Sequence, residues 1–418
     1  MRSSKTDYSR TNTSKQTIRY LCLLILPPSL SPSPYVTIKN MFELFISSSK
    51  IVKLIVFCCA QGKLYLSNIH TKDNEKVRII PINVRIKRGK DKAGGINYRN
   101  IIHNTIAIVK FQLLVSLLIV YIYLRTRILR EKSLMPVISI FVGAYDHLMP
   151  LLISRFLKMR TLILNWGSTL QLHGVKKVYI PIARIHYLFS DIIALQCPEQ
   201  LKDLGLKKLN SQVIVWGIKP INTRIFKCIR PIHLRKYDVA YIGRLEPEKG
   251  ILEFLRAVIK LLYDNPRLRI LIVGEGYYSP LLKRLQQIVR NNIIYLPWLE
   301  QRQLASTLND VKILVLPSQS EGLPSIITEA LACGVIVIAT SVGCLRRVIL
   351  HGRNGYLISL RPRNKMINEL INILKYILSL DIEILQDMSQ YAYKSVSMYS
   401  EKYIKRTHIA ILERKILG

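Results

Sequence analysis

From Tyr237 onward, short uninterrupted apolar runs alternate with amphipathic segments, and this alternation restricts the possible folds more than any other feature of the chain. DVAYIG (238–243), LRILIVGEG (268–276), IIYL (293–296), VKILVLP (311–317) and VIVIAT (335–340) read as strands. None alternates apolar with polar residues, so both faces of each strand are expected to be buried, as in a parallel sheet covered by helices. Between them ILEFLRAVIKLLYDN is apolar at 251, 252, 255, 258, 259 and 262, a helical period. Ser279 is expected to cap a helix begun by Pro280 and running through LLKRLQQIVRN. EQRQLASTLND continues the strand–helix–strand step, and PSIITEALAC is a short helix stopped by Gly334. The result is a doubly wound α/β domain, whose ligands bind beyond the carboxyl ends of the strands.

The first half is less regular but similar in kind. RYLCLLIL, KLIVFC, VRIIPI, VISIFV, TLILNW, DIIALQ and SQVIVW are candidate strands. The 418 residues allow two to three domains. A flexible basic tail is expected over 1–17, a first Rossmann-like domain over 18–215 and a second over 216–395. Residues 396–418 are expected to form a helix crossing back to the first, and the linker with Pro220 and Pro231 separates the halves. The basic stretch RIKRGKDKAGG (85–95) reads as an exposed loop.

The longest apolar run, FQLLVSLLIVYIYL (111–124), is short of the roughly 20 residues a membrane span needs. It reads as a buried helix, with an interfacial helix as the alternative because Arg125, Arg127, Arg130 and Lys132 follow at once. Lys and Arg outnumber Asp and Glu by 62 to 26, a net charge of +36 that implies an anionic partner or simply a solvated basic surface. No nucleic-acid module is visible, and nucleic acid is not an expected partner. Most of the seven scattered cysteines, which form no C-x-x-C motif, read as small buried hydrophobes, and a reducing, cytoplasmic setting is expected.

Three elements fall at strand ends in the second half. Gly243-Arg244-Leu245-Glu246-Pro247-Glu248-Lys249-Gly250 carries two cations that both reach a diphosphate, although a βα loop with solvated charges has the same appearance. Gly274 and Gly276 flank Glu275 at the next strand end, a weak signal alone. In Ser320-Glu321-Gly322-Leu323-Pro324-Ser325-Ile326, Pro324 suits the first helical position and leaves the amides of Ser325 and Ile326 free for a phosphate. Glu329 follows Ser325 by one turn on the same face and is placed to accept hydrogen bonds from vicinal hydroxyls. The plain alternative is acids complementing a helix dipole.

GRLEPEKG, IVGEG and SEGLPSIITEALACG with its E-x(7)-E spacing resemble the retaining glycosyltransferases of family 4. Asn354-Gly355, SDIIALQCPEQLKDLG and VIVWGIKP extend the resemblance, which is strong over about 190–360. It implies the GT-B fold, two facing Rossmann-like domains with a cleft between them. It implies transfer of a hexosyl group, with retention and without a metal or other cofactor, from a nucleotide-diphosphate sugar to a glycan or lipid-linked acceptor. By the same resemblance Arg244 and Lys249 hold the diphosphate, Glu329 binds the ribose and Glu321 lies near the transferred sugar, these first two and Glu321 being the catalytic candidates. Gly243, Gly274, Gly276 and the segment Gly322, Leu323, Pro324, Ser325, Ile326 join the donor site, and the YLPWL turn, with Trp298 and Leu299, meets the base.

The chain departs from the family where PPSLSPSPY follows the first strand without a glycine, and where Trp166 stands in place of a frequent His. His147 is the candidate substitute imidazole. Gly343-Cys344-Leu345-Arg346-Arg347 replaces the usual glycine-then-Pro-Glu stretch. A GT-B-fold epimerase or hydrolase, and a non-catalytic protein binding membrane or nucleic acid, are the competing functions. A cytoplasmic protein, peripheral on the membrane's cytoplasmic face, is the expected location.

Overall fold

The computed structural model describes residues 20–26, 45, 48, 51–59, 77–82, 98–128, 137–143, 147–165, 176–202, 206, 213–289 and 292–417. The basic tail, the 85–95 stretch, PPSLSPSPY and Trp166 lie outside them. Seven parallel strands form the first sheet: β1 (Tyr20–Ile25), β2 (Ile51–Cys59), β3 (Val77–Ile82), β4 (Val137–Val142), β5 (Arg160–Asn165), β6 (Ile192–Leu195) and β7 (Val213–Val215). Their order is β3-β2-β1-β4-β5-β6-β7. Among the described residues, the named helices of this half include α1 (Tyr98–Ile128), α2 (Leu148–Phe156), α3 (Lys176–Leu188) and the single turn α4 (Glu199–Lys202).

Six parallel strands form the second sheet: β8 (Tyr237–Ile242), β9 (Ile270–Val273), β10 (Ile293–Leu296), β11 (Val311–Leu316), β12 (Ile336–Thr340) and β13 (Gly355–Ile358). The order β10-β9-β8-β11-β12-β13 reverses between β8 and β11, so a crevice opens at that switch point between their carboxyl ends. Helices α5 (Ile251–Asp264), α6 (Ser279–Ile288), α7 (Gln301–Leu308), α8 (Ser325–Ala332), α9 (Leu345–Val348), α10 (Arg363–Leu378) and α11 (Ile382–Ser395) surround it. Two cores result: Val239, Ile272 and Val315 face α5 and α10, while Ala240, Leu271 and Leu314 face α8 and α11. Uninterrupted apolar runs are therefore required, because alternate side chains of one strand enter different cores.

The chain then returns to the first half. α12 (Glu401–Ile411) and a π-helical turn over Leu412–Ile416 set Leu412, Ile416 and Leu417 into the core under β1, β2 and β4. Trp216 Nε1 donates to His408 O at 3.3 Å, and Arg160 donates to Lys415 O at 3.0 Å. Trp216 thus packs with the first sheet, one residue beyond the expected boundary.

Several local expectations change. The helix expected over 111–124 has 31 residues, and only one face of it is covered. α6 begins at Ser279 with Tyr278 as its cap, because the Ser279 hydroxyl is engaged by the Gly276 N–H at 3.0 Å. Pro324 is the cap of α8 rather than its first residue.

Two buried histidines make the fold sensitive to acid. Burial lowers His147 and His408 from the usual value to about 4. In the unfolded chain each ring takes up a proton near pH 6.5, whereas the folded chain keeps it neutral down to about 4. The unfolded state therefore binds more protons in that window, and stability is complete above pH 6.5 and lost as the pH falls toward 4. The loss is on the order of 3 kcal/mol per histidine. Urea midpoints measured between about pH 7 and 4.5 are expected to fall, and to fall less steeply in His147→Phe. Equal slopes would exclude His147 as a cause.

Candidate active site

The loops after β8 and β11 meet at the switch point. In the first, a single 3-10 turn over Pro247–Lys249 is closed by Gly250 before α5 begins. Lys249 leaves this turn toward the second loop, where its Nζ lies 2.6 Å from Glu321 Oε1. The two side chains are 12% and 6% exposed, so little water screens the pair. Gln319 N–H donates to Glu248 O at 2.9 Å and ties the loops together. Arg244 turns the other way: its guanidinium is half exposed and pairs with Glu248 at 3.3 Å. Beneath it, the buried Tyr241 hydroxyl donates to Arg244 O at 2.8 Å, and burial pushes its pKa up.

A third loop, after β12, presses on the second. Gly343 adopts φ +50°, and a Cβ there would lie 2.0 Å from Glu321 O. The position admits only glycine, because both the handedness and the clearance exclude a side chain. Gly322 O accepts from Cys344 N–H at 3.3 Å. The carboxylate of Glu321 is thereby set by backbone on one side and by Lys249 on the other.

α8 rises from the same loop. Its first backbone bond runs from Ile327 N–H to Pro324 O, so the amides of Ser325 and Ile326 precede the ladder at a helix amino terminus. The Leu323 N–H is taken by Gln196 Oε1 of the first half, at 2.8 Å. One turn into α8, buried Glu329 accepts from Lys219 Nζ at 3.3 Å. Lys219 lies on the segment joining the two halves, 110 residues from Glu329, and no spacing rule connects them.

Toward β10 the rim is built from backbone. Gly243 N–H donates to Val273 O, and a Cβ on Gly274, with φ +140°, would lie 1.9 Å from Gly243 O. Gly276 sits against Leu245, and Tyr295 donates its hydroxyl to Gly274 O at 3.1 Å. Trp298 stands at this rim, 68% exposed, beside half-buried Leu299. The glycines follow β8 and β9 and the tryptophan follows β10, so this rim adjoins the Lys249 loop on the side away from β11.

His147 is not part of this arrangement. It is fully buried between Phe111 and Phe141, with Nε2 3.0 Å from Val142 O. The apolar α1 and β4 side chains enclose it, which corrects its expected contact with substrate. Among the described residues, no three His, Cys, Asp or Glu side chains converge as a metal site.

The two halves close over a cleft of about 570 Å³, lined by Glu199 of α4 and by Ser320, Glu321, Gly343 and Arg346 opposite. Arg347 donates to Glu199 at 2.8 Å beside it. The two arginines that replace the usual Pro-Glu pair thus serve the seam and the cleft wall. Beside them Cys197 and Cys344 form a disulfide between the halves. The scattered spacing of the cysteines gave no sign of this pair, which the fold brings together across 147 residues. Cys22, Cys58 and Cys333 are buried thiols, as expected of small hydrophobes.

Residues 225–395 match the family model described as Glycosyl transferases group 1. A Klebsiella pneumoniae protein described as an uncharacterized 41.2 kDa protein in the cps region is 28% identical over 46% of this chain and 54% of its own length. A Corynebacterium glutamicum GDP-mannose-dependent monoacylated alpha-(1-6)-phosphatidylinositol monomannoside mannosyltransferase is 35% identical over 25% of this chain and 29% of its own. The chain spans about half the length, or less, of these curated relatives. Among solved structures, Anabaena HepE in complex with UDP superposes with a TM-score of 0.64 at 13% identity, covering 94% of this chain and 99% of HepE. A Rickettsia africae glycosyltransferase does so with 0.61 at 16% identity, over 96% and 99%. The fold is GT-B.

The disulfide has a direct test. Proteolysis of unreduced, alkylated protein is expected to yield one peptide pair joined through Cys197 and Cys344, seen by mass spectrometry. Recovery of both cysteines as alkylated peptides would remove the link between the halves.

Proposed function

We propose that the chain is a glycosyltransferase that moves a sugar from a nucleotide-diphosphate donor bound at the switch-point crevice. The observation that carries this reading is the Lys249–Glu321 pair at the mouth of α8, with Glu329 one turn further in. A diphosphate placed there meets an ammonium group, two helix amides and the positive end of the helix dipole. Arg244 lies on the same loop and reaches the diphosphate once it exchanges the exposed contact with Glu248. Support for a nucleotide-sugar donor comes from HepE, whose structures hold UDP and UDP-glucose.

The reaction breaks the bond between the anomeric carbon and the diphosphate oxygen. Negative charge grows on the leaving phosphate, and Lys249, the α8 amides and Arg244, once redirected from Glu248, oppose it. Glu321, buried and held toward the cleft, faces the transferred hexosyl group, while Glu329 accepts hydrogen bonds from the ribose diol through the oxygen not engaged by Lys219. Gly322 to Ile326 offer backbone groups to the sugar and distal phosphate, and Trp298 flanks the base. In the proposed retaining course, the acceptor enters on the face the phosphate leaves, and the phosphate takes its proton. A glycan or lipid-linked acceptor fits the cleft wall formed by Glu199 and Arg346.

Lys249→Met is expected to lower turnover by the equivalent of about 2.7–4 kcal/mol of barrier, the scale of one lost oxyanion donor, and Glu329→Gln to lower turnover through a weaker hold on the donor ribose. Release of nucleoside diphosphate from UDP-, GDP- and ADP-sugars, with and without a glycan acceptor, measures this in variants whose circular dichroism is unchanged. Wild-type rates in both variants would overturn the site. Consumption of donor without acceptor would favour a hydrolase or epimerase on the same fold.

A further inference from the structure

α1 is apolar on all sides, yet protein covers it on one side only. Ala107, Phe111, Val115 and Ile119, spaced four apart, are buried against the first sheet. The opposite stripe carries Ile106, Leu113, Leu117, Tyr121, Leu124 and Ile128, all exposed, with Leu117 at 66% and Ile128 at 71%. A helix on the surface of a water-soluble domain places polar residues on that face. Here the charged residues of the helix are Arg99, Lys110, Arg125 and Arg127, and no acid occurs between Tyr98 and Ile128.

The neighbouring helices extend the patch. Leu151 of α2 and Ala183 and Tyr187 of α3 enter the same core as the inward stripe of α1, so the three helices form one layer over the sheet. On this layer Phe156 at the end of α2 is 86% exposed, and Leu188 and Phe189 at the end of α3 are exposed as well. Exposed apolar side chains gathered on one helix layer mark an interaction site.

From this face we infer a docking surface for an anionic lipid bilayer, with α1 lying in the plane of the headgroups. The charge selects the occupant. The outward face holds cations without acids on a chain of net charge +36, which complements an anionic membrane. A second copy joined through the same face would set like charges against one another. α1 is long and apolar enough to cross a membrane, but its inward stripe belongs to the core of the first sheet, so it lies on the bilayer while the domain stays folded. This inference does not depend on the donor site.

The test is co-sedimentation of the full chain with vesicles of phosphatidylglycerol and phosphatidylcholine, and with phosphatidylcholine alone. Wild type is expected to partition onto the anionic vesicles at low salt and to leave them as salt rises. Leu117→Glu/Tyr121→Glu, and independently Phe156→Glu, are expected to weaken partition by roughly tenfold or more. Ile288→Glu, at an exposed site in the second half, is expected to leave it unchanged, and all variants should keep the wild-type circular dichroism and thermal midpoint. The inference is overturned if wild type stays in the supernatant with anionic vesicles, or if both α1–α2 variants bind like wild type. A dimer in solution that Leu117→Glu/Tyr121→Glu dissociates, without vesicle binding, would overturn it too and assign the face to a second copy.

Discussion

A parallel sheet needs cover on both faces, because its strands are joined by crossovers rather than hairpins and its side chains point apolar in both directions. That requirement organises the whole chain. In the second half it divides the strands' side chains between two cores and sends α5 and α10 to one face, α8 and α11 to the other. In the first half the described part of the chain before residue 216 is joined by its own carboxyl end, with Leu412, Ile416 and Leu417 completing the layer under β1. The strand order reverses once in each sheet, and the crevice between β8 and β11 follows from that reversal.

The polar groups gather where the backbone leaves them no room to spread. Gly274 and Gly343 let loops approach at distances a Cβ forbids, and the second of these contacts sets the backbone that carries the Glu321 carboxylate. A buried carboxylate needs a partner, and Lys249 lies 2.6 Å away. The second acid, Glu329, takes its lysine from the connector between the halves. Both acids are thus paired by residues from other elements, which couples the arrangement of the loops to the charge state of the crevice.

Much of this was legible in the residues themselves. The uninterrupted runs marked the seven strands of the first sheet and five of the six in the second, leaving out the short edge strand β13, and the spacing of Glu321 and Glu329 across Pro324 marked the head of α8. What was not legible depends on separation along the chain. His147 became a core residue because Phe111 and Phe141 close around it, and a loop histidine carries no sign of that in sequence. The contacts of Lys219 with Glu329 and of Gln196 with Leu323 join residues more than a hundred positions apart. Periodicity also failed on α1, because a helix apolar on every side gives no indication of which side is left open. Arg244 and Lys249 stand on one loop, yet one turns to solvent and the other inward, a choice made by the neighbouring strand end.

The bond between Cys197 and Cys344 spans 147 residues of sequence and fastens α4 to the start of α9. A staple of that reach lowers the entropy of the unfolded chain by a few kcal/mol in the chain-entropy view, somewhat more than a local one. It also ties the two halves together covalently beside the Glu199–Arg347 and Gln196–Leu323 contacts. Any movement of one half against the other has to keep Cys197 and Cys344 within the reach of that bond.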